Sequence, residues 1–344
     1  MKMRKILVFA AFLALPALLF SAEPPAQEWC QVYFTTPEKN SRNAAVSFPE
    51  KALIGVIDGA KTYIDGSFFE IGSIKVADAF IRAHKRGVKV RLVTDDRNRK
   101  KPACKKAESA GIKIIDDGKK GLMHDKFAVV DGRTVWTGSY NITDNCAYRN
   151  NNNAIRIDSP ELASIYEAEF REMFEERVFQ NRKETKAAAV LANPYYVKIG
   201  NTDINAYFSP DNDIERILVK RIAKAKKSVY FMAFSFTSDP MGEAMIAAHK
   251  KGVTVEGVFE KRGSDTAESE YKKMLVEGIP VALDRNKRNM HHKVIIIDEK
   301  TVITGSYNFS KNASRKNDEN ILVIDNAEIA AKYIAEFKHL YYSK

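Results

Sequence analysis

Cysteine is scarce: Cys30, Cys104 and Cys146 are the only three in 344 residues. An odd count leaves at least one thiol without a partner in the chain, which argues against a disulfide framework. No CxxC pair occurs and no His/Cys cluster has zinc-ligand spacing, so no metal or other cofactor is expected. Long apolar runs are equally rare. After Ile6–Phe20, nothing is long enough to cross a bilayer. That run follows the basic start Met1-Lys2-Met3-Arg4-Lys5 and precedes small residues, so 1–22 reads as a signal peptide. Export to a periplasm or the medium is expected, with an N-terminal membrane anchor as the alternative. There is no ladder of aromatics to stack bases and no amphipathic insertion suited to a membrane interface. Acid is in deficit, with 44 Asp and Glu against 55 Lys and Arg. Removing Lys2, Arg4 and Lys5 with residues 1–22, which hold no acid, takes the formal charge from +11 to +8. Such a chain favours anionic partners, nucleic acid or anionic lipid, without choosing between them.

The sequence is written twice. "AHKRGVKVRLV" (83–93) returns as "AHKKGVTVEGV" (248–258), and "VYFTTP" (32–37) has an echo in "AYFSP" (206–210). From His124 to Asp158 and from His291 to Asp325 the copies align without a gap, identical at 15 of 35 positions. Duplication predicts repeat 1 over 31–185, a linker over 186–203 and repeat 2 over 204–344. Near-continuous apolar strands alternate with amphipathic helices, which predicts an α/β fold with each sheet covered on both faces. His84 and His249, near helix ends at matching positions, are expected to serve the scaffold.

His124, Lys126 and Asp131 match His291, Lys293 and Asp298 in spacing, and each trio leads into Gly-Ser-Tyr-Asn. That tetrapeptide supplies Ser139 and Asn141 in one copy, Ser306 and Asn308 in the other. His and Lys two apart on a strand share a face. Each copy therefore offers an imidazole, a cation and an amide, which is half of a phosphate site. Two copies about a pseudo-two-fold axis would complete it. One neutral imidazole can then attack phosphorus while the other protonates the leaving oxygen, with Lys126, Lys293, Asn141 and Asn308 holding the equatorial oxygens. Ser139 and Ser306 either donate to phosphate or close the turn. Tyr140 and Tyr307 are expected to pack, and Asp125 and His292 to face away.

These doubled His-x-Lys-x4-Asp and Gly-Ser-x-Asn runs resemble the phospholipase D superfamily over nearly all of 31–344, most closely its small exported bacterial branch. That branch includes a metal-independent endonuclease which carries one copy per chain and dimerises. The resemblance implies two phospholipase D-like α-β-α sandwich domains sharing one active site in a single chain, a monomer. It also implies a phosphohistidine intermediate formed without metal, and an aspartate that is mainly structural. Its implied substrates are phospholipid, met with peripheral contact to an anionic membrane surface, or nucleic acid; a non-catalytic binding protein is the remote alternative. Family sites commonly place a carboxylate behind the histidine. Glu319 fits that role 28 residues after His291, whereas repeat 1 has Asn152 there. A carboxylate raises the basicity of its histidine and an amide only orients it. This makes His291 the nucleophile, while family precedent puts the nucleophile in the first copy. Phe69-Glu70 and Phe236-Thr237 are expected to match, each pair ending the strand that lines the cleft.

Overall fold

A computed structural model of the chain describes residues 29–37, 48–118, 121–180 and 195–342. The signal peptide assigned to 1–22 lies outside the described residues. Within them, no helix is long and apolar enough to cross a membrane. All three cysteines are free and buried.

Repeat 1 forms a seven-stranded sheet in the order β1 (Cys30–Phe34), β7 (Asn153–Asp158), β6 (Thr134–Gly138), β5 (Lys126–Val130), β2 (Tyr63–Phe68), β3 (Lys89–Thr94), β4 (Lys113–Asp116). Repeat 2 forms an eight-stranded sheet, β12 (Val281–Leu283), β11 (Thr254–Phe259), β10 (Ser228–Ala233), β13 (Lys293–Ile297), β14 (Thr301–Gly305), β15 (Glu319–Asp325), β9 (Thr202–Ser209), β8 (Tyr196–Ile199). In each, parallel pairs (β2 with β3, β10 with β11) join an antiparallel half at β5 or β13. These two motif strands are buried at every position because helices cover both faces.

The linker expectation needs correcting at its C-terminal end. Residues 196–199 and 202–209 are β8 and β9, a hairpin turning at Gly200, whose φ of +55° suits glycine. Val197 and Ile204 face the core from it.

Five layers result. The helices α1 (Phe48–Gly59), α2 (Ile74–Lys85) and α3 (Pro102–Ser109) cover the outside of the first sheet. Their counterparts α6 (Ile214–Ala223), α7 (Asp239–Lys250) and α8 (Glu270–Val276) cover the second. Between the sheets lie α5 (Pro160–Phe174) and α10 (Ala327–Tyr342), in one core drawn from both repeats. Tyr166 of α5 packs edge-on against Phe127 (5.0 Å) and Phe208 (5.1 Å), one ring from each repeat. Rings of this size dominate such burial and admit few alternative orientations. The halves are therefore locked together by apolar packing behind the site.

Candidate active site

The two histidine segments are stitched to each other's repeat. His124 donates its backbone N–H to Asp318 O (2.9 Å), and His291 donates to Asn151 O (2.8 Å). Parallel bridges Met123↔Asp318 and Asn151↔Met290 flank these bonds. Each imidazole thus enters the cleft at the seam, where β5 and β13 begin. Beside it, the short helices α4 (Asp144–Tyr148) and α9 (Lys311–Arg315) follow the Gly-Ser-Tyr-Asn turns. At Gly138 (φ +140°) a side chain would meet Asn153 O at 2.5 Å, and at Gly305 Asn320 O at 2.2 Å. Only glycine lets the turn press this closely on the neighbouring strand.

The partners of the imidazoles differ. His124 Nδ1 lies 2.7 Å from Glu319 Oε2. His291 Nδ1 lies 3.0 Å from Asn152 Oδ1 and 3.1 Å from Ser139 O. This corrects the sequence-based pairing: the carboxylate of repeat 2 serves the histidine of repeat 1. Strand β14 lies between β13 and β15, whereas the seam brings Asp318 and Glu319 against Met123 and His124. Acceptors at both Nδ1 atoms assign N–H there and leave each Nε2 for the cleft. The carboxylate therefore stands behind His124, and the amide behind His291.

Lys126 donates to His124 O (2.6 Å) and Lys293 to His291 O (2.9 Å), both ammonium groups fully buried. Their excess charge lies over aromatic faces, Lys126 5.1 Å from the Phe69 ring and Lys293 4.6 Å from Phe234. The same rings pack edge-on to His124 (4.9 Å) and His291 (4.5 Å). Phe69 therefore matches Phe234, and the expected match to Phe236 is two residues out of register. Repeat 2 has a longer loop between β11 and α8, so the offset between copies is shorter upstream of it. Phe234 went unremarked for that reason, although alignment of the flanking strands would have found it.

Asn141 and Asn308 each have a buried Oδ1 with no hydrogen-bond partner. Buried amide oxygens are rarely left so, and a primary amide can turn either its oxygen or its NH2 toward the cleft. Both amides are free for a ligand. The serines take the turn-closing role: Ser306 Oγ donates to Glu319 Oε2 (2.8 Å) and Ser139 Oγ to Asn152 Oδ1 (3.2 Å). Tyr140 and Tyr307 are buried packing residues. Asp125 and His292 lie behind the site in the seam, where Asp125 accepts from Asn320 (2.7 Å) and His292 meets Asn153 (3.0 Å) and Glu336 (3.1 Å). His84 and His249 line hollows edged by strand starts, of about 540 and 250 Å³, and neither joins the site.

The aspartates are supports. Asp131 accepts from the backbone of Lys61, Thr62 and Tyr63 and from the Thr62 hydroxyl (2.7–3.1 Å), and Asp298 accepts from Lys226, Lys227 and Ser228. Both sit at positive φ, +54° and +53°, which Asp tolerates better than most residues. Burial pushes the Asp131 carboxyl up, but the Thr62, Lys61 and Tyr63 bonds outweigh it and hold it below the ordinary range. Its stabilising charge is therefore present above about pH 4 and lost as pH falls through the depressed value. Asp131→Asn should cost about 2 kcal/mol near neutrality, and the deficit should shrink toward pH 3; urea titrations at the two pH values check this.

Electrostatics set the protonation states. Burial, then Lys126 and Lys293, hold His124 well below the usual imidazole range. Burial and the same lysines do so for His291. Burial lowers Lys126 to about 8 and, with Lys126 beside it, Lys293 well below its normal value. Burial also raises Glu319 to about 7. The lowered imidazoles and lysines and the raised Glu319 share one leading cause, burial, which disfavours the charged form of each. Among the described residues, the carboxylate groupings that could hold a cation are Asp95–Asp96–Asp117 and Glu169–Glu172–Asp211, and neither includes a histidine.

Two imidazoles, two buried lysines and two amides with unpartnered oxygens gather across a pseudo-dyad, a donor set suited to a tetrahedral anion. The family described as cardiolipin synthase, PLD-like domain matches residues 53–174 and 218–341, once per repeat. A phospholipase D of Rickettsia prowazekii is 29% identical over 155 residues, 45% of this chain and 76% of that protein. A mitochondrial cardiolipin hydrolase of Xenopus laevis is 35% identical over 131 residues, 38% of this chain and 62% of that protein. The solved phospholipase D family member Nuc from Salmonella typhimurium is 34% identical, covering 41% of this chain and 95% of its own, with a TM-score of 0.39. The phosphatidylserine synthase of Haemophilus influenzae shares the fold over 89% of this chain and 85% of its own, at TM-score 0.65 and 15% identity. The chain belongs to the phospholipase D superfamily of phosphodiesterases.

Proposed function

We propose that the protein is an exported enzyme that hydrolyses phospholipid phosphodiester bonds through a phosphohistidine on His124, without metal. The observation that supports His124 as the attacking group is the unequal backing of the two imidazoles, Glu319 behind His124 and Asn152 behind His291; the phospholipid reading is supported by the similarity to a phospholipase D and a cardiolipin hydrolase. A carboxylate at Nδ1 stabilises the positive charge that builds on an attacking imidazole. The lysine pair and both amides neutralise the equatorial oxygens, the work a metal does in other phosphodiesterases.

The cycle balances as follows. Nε2 of neutral His124 attacks phosphorus, the P–O bond to the leaving alcohol breaks, and His291 gives its proton to the alcohol oxygen. His291 must be protonated for this, and in the free site it is not. Binding of an anionic diester supplies the missing negative charge and draws a proton onto it. Neutral again, His291 then takes a proton from water as the water oxygen attacks phosphorus, and the P–N bond to His124 breaks. Phosphomonoester leaves and the proton remains on His291. Transfer to an alcohol follows the same path when an alcohol replaces water. Both half-sites lie in one chain, so a monomer suffices.

Nuclease action is the second reading, favoured by the +11 charge and the basic stretch Arg97–Lys106. The test offers the chain from residue 23 plasmid DNA, single-stranded DNA, RNA and mixed phospholipid vesicles in EDTA. Headgroup release with nucleic acid intact is expected. Cleavage of nucleic acid with lipid untouched overturns the phospholipid reading, and activity that needs an added metal overturns the metal-free one.

A further inference from the structure

We infer that the rim of the cleft is a docking surface for an anionic lipid bilayer, cationic on the repeat 2 side and apolar on the repeat 1 side. The inference rests on the phospholipid reading above and names the surface that delivers such a substrate.

The cationic side is the loop between β12 and His291. Arg285, Lys287 and Arg288 are exposed there, three to six residues before the His291 imidazole, and among the described residues none of the three has an ion-pair partner. Their backbone is held firmly. Asp284 accepts from Asn286 N–H (2.8 Å), and Asn286 donates across the seam to Asn151 Oδ1 (2.6 Å) and Arg149 O (3.0 Å). Arg262 donates to Asn289 Oδ1 (3.0 Å), which closes the other end. Three unpaired cations at fixed height beside the cleft form a field suited to phosphate groups in a plane. In sequence, Gly118 and Gly121 match Arg285 and Arg288 while Lys119 and Lys120 match Asn286 and Lys287, so the repeat 1 loop carries two cations to the three of repeat 2.

The apolar side belongs to repeat 1, at the helix starts joined through Lys75, Glu50 and Tyr148 to the Arg149 backbone on which Asn286 docks. Phe48 is 66% exposed at the first residue of α1, and Ile74 is 42% exposed at the first residue of α2. A hydrogen bond from Ser73 Oγ to Glu50 Oε1 (2.8 Å) holds these two helix starts together. Ile74 is five residues beyond Phe69, whose ring packs on His124, so both apolar tips stand at the end of the sheet where the histidines sit. Repeat 2 carries Asp213 and Asp239 at the matching positions. The duplicated fold therefore does not require apolar groups there. No step of the chemistry uses Phe48 or Ile74.

A nucleic acid would explain the cations and leave Phe48 and Ile74 facing water. A bilayer explains both, because cations gather at its phosphates while a Phe and an Ile enter the acyl boundary. A headgroup held at that level needs little displacement to reach Nε2 of His124.

The test uses the chain from residue 23, which contains every described element, with His124→Asn to prevent turnover. Sedimentation with phosphatidylglycerol vesicles should show binding, and phosphatidylcholine vesicles much less. Each Lys or Arg near an anionic leaflet strengthens binding about fivefold. The triple change Arg285→Ser, Lys287→Ser, Arg288→Ser should therefore weaken it about a hundredfold. Phe48→Ser with Ile74→Ser should weaken it at least about tenfold, and this loss should persist at high salt. With His124 restored, both sets of rim changes should leave hydrolysis of soluble bis(p-nitrophenyl) phosphate within about twofold of the parent, because these exposed side chains make no hydrogen bond to the histidines, lysines or amides of the site and salt screens their field on a small anion. Rim variants that bind vesicles as the parent does would overturn the inference. So would loss of single-stranded DNA binding in the triple variant when the parent ignores vesicles. Absence of soluble-diester hydrolysis in the parent would instead sink the catalytic reading.

Discussion

His124→Asn and His291→Asn should both abolish steady-state turnover of a phospholipid, yet they should fail in different ways with an activated substrate. Bis(p-nitrophenyl) phosphate has a leaving group that departs without help from an acid. In His291→Asn the attack by His124 should therefore survive and release one equivalent of nitrophenolate per site. The intermediate then stalls for want of a base to activate water, so the burst should be followed by a slow phase. General acid–base assistance is typically worth about 10²–10⁴-fold, and the slow phase should lie that far below wild type. The trapped phosphorus should sit on His124, stable to alkali and labile to acid. In His124→Asn the nucleophile itself is gone, with an expected loss of roughly 10⁵-fold or more and no burst. Both imidazoles are buried, and Asn preserves polarity at each, so circular dichroism should show the fold intact. A burst in His124→Asn, with none in His291→Asn, would reverse the roles.

The sequence made the existence and composition of this site readable, because spacing carries it. His and Lys two apart must share a strand face, and the offset of 167 between copies recurs in both motif and turn. Strand and helix positions follow from hydrophobic pattern for the same local reasons: the apolar run Val294-Ile295-Ile296-Ile297 lies in β13, and the amphipathic run from Ala327 is α10. What spacing does not carry is which neighbour lies across a pseudo-dyad. Glu319 is 28 residues from His291 and 195 from His124, and proximity along the chain favours the wrong partner. The right one follows only once the bridge between Met123 and Asp318 is known. The hairpin at 196–209 was hidden differently. Among the described residues repeat 1 has no counterpart to β8, so a search for repetition passes over it, although Ile-Gly-Asn-Thr between apolar positions is a turn signal of its own. Phe69 and Phe234 were obscured by a change of offset between the strands that end at the cleft and the motif itself.

Removal of the Glu319 charge should separate a supporting role from a merely structural one. Glu319→Gln keeps the shape and an acceptor for His124 Nδ1–H, so the imidazole should stay oriented much as Asn152 orients His291. The charge that stabilises the cationic phosphohistidine is lost, and kcat should fall about 100-fold, the upper end of effects seen for groups that orient and polarise a functional histidine. KM should change little, since the lysines and amides that hold phosphate are untouched. The pH profile gives the sharper reading. Burial raises Glu319 to about 7 and the ionised form is the useful one, so wild-type kcat/KM should rise with pH through about 7 toward a plateau. His124 itself titrates well below that, because burial and the two lysines oppose its protonation, and it leaves the limb to Glu319. In Glu319→Gln the limb near 7 should disappear while activity stays uniformly low. Stability should move the other way. Wild type must bury a carboxylate that would rather be protonated above its unfolded range, a cost that grows as pH rises from about 4.5 to 7 and that Gln does not bear. Above pH 7, Glu319→Gln should therefore be at least as stable as wild type, and its thermal midpoint should respond less to pH over that interval. A variant that lost activity by unfolding would instead show a lower thermal midpoint and a loss of kcat that tracks the unfolded fraction.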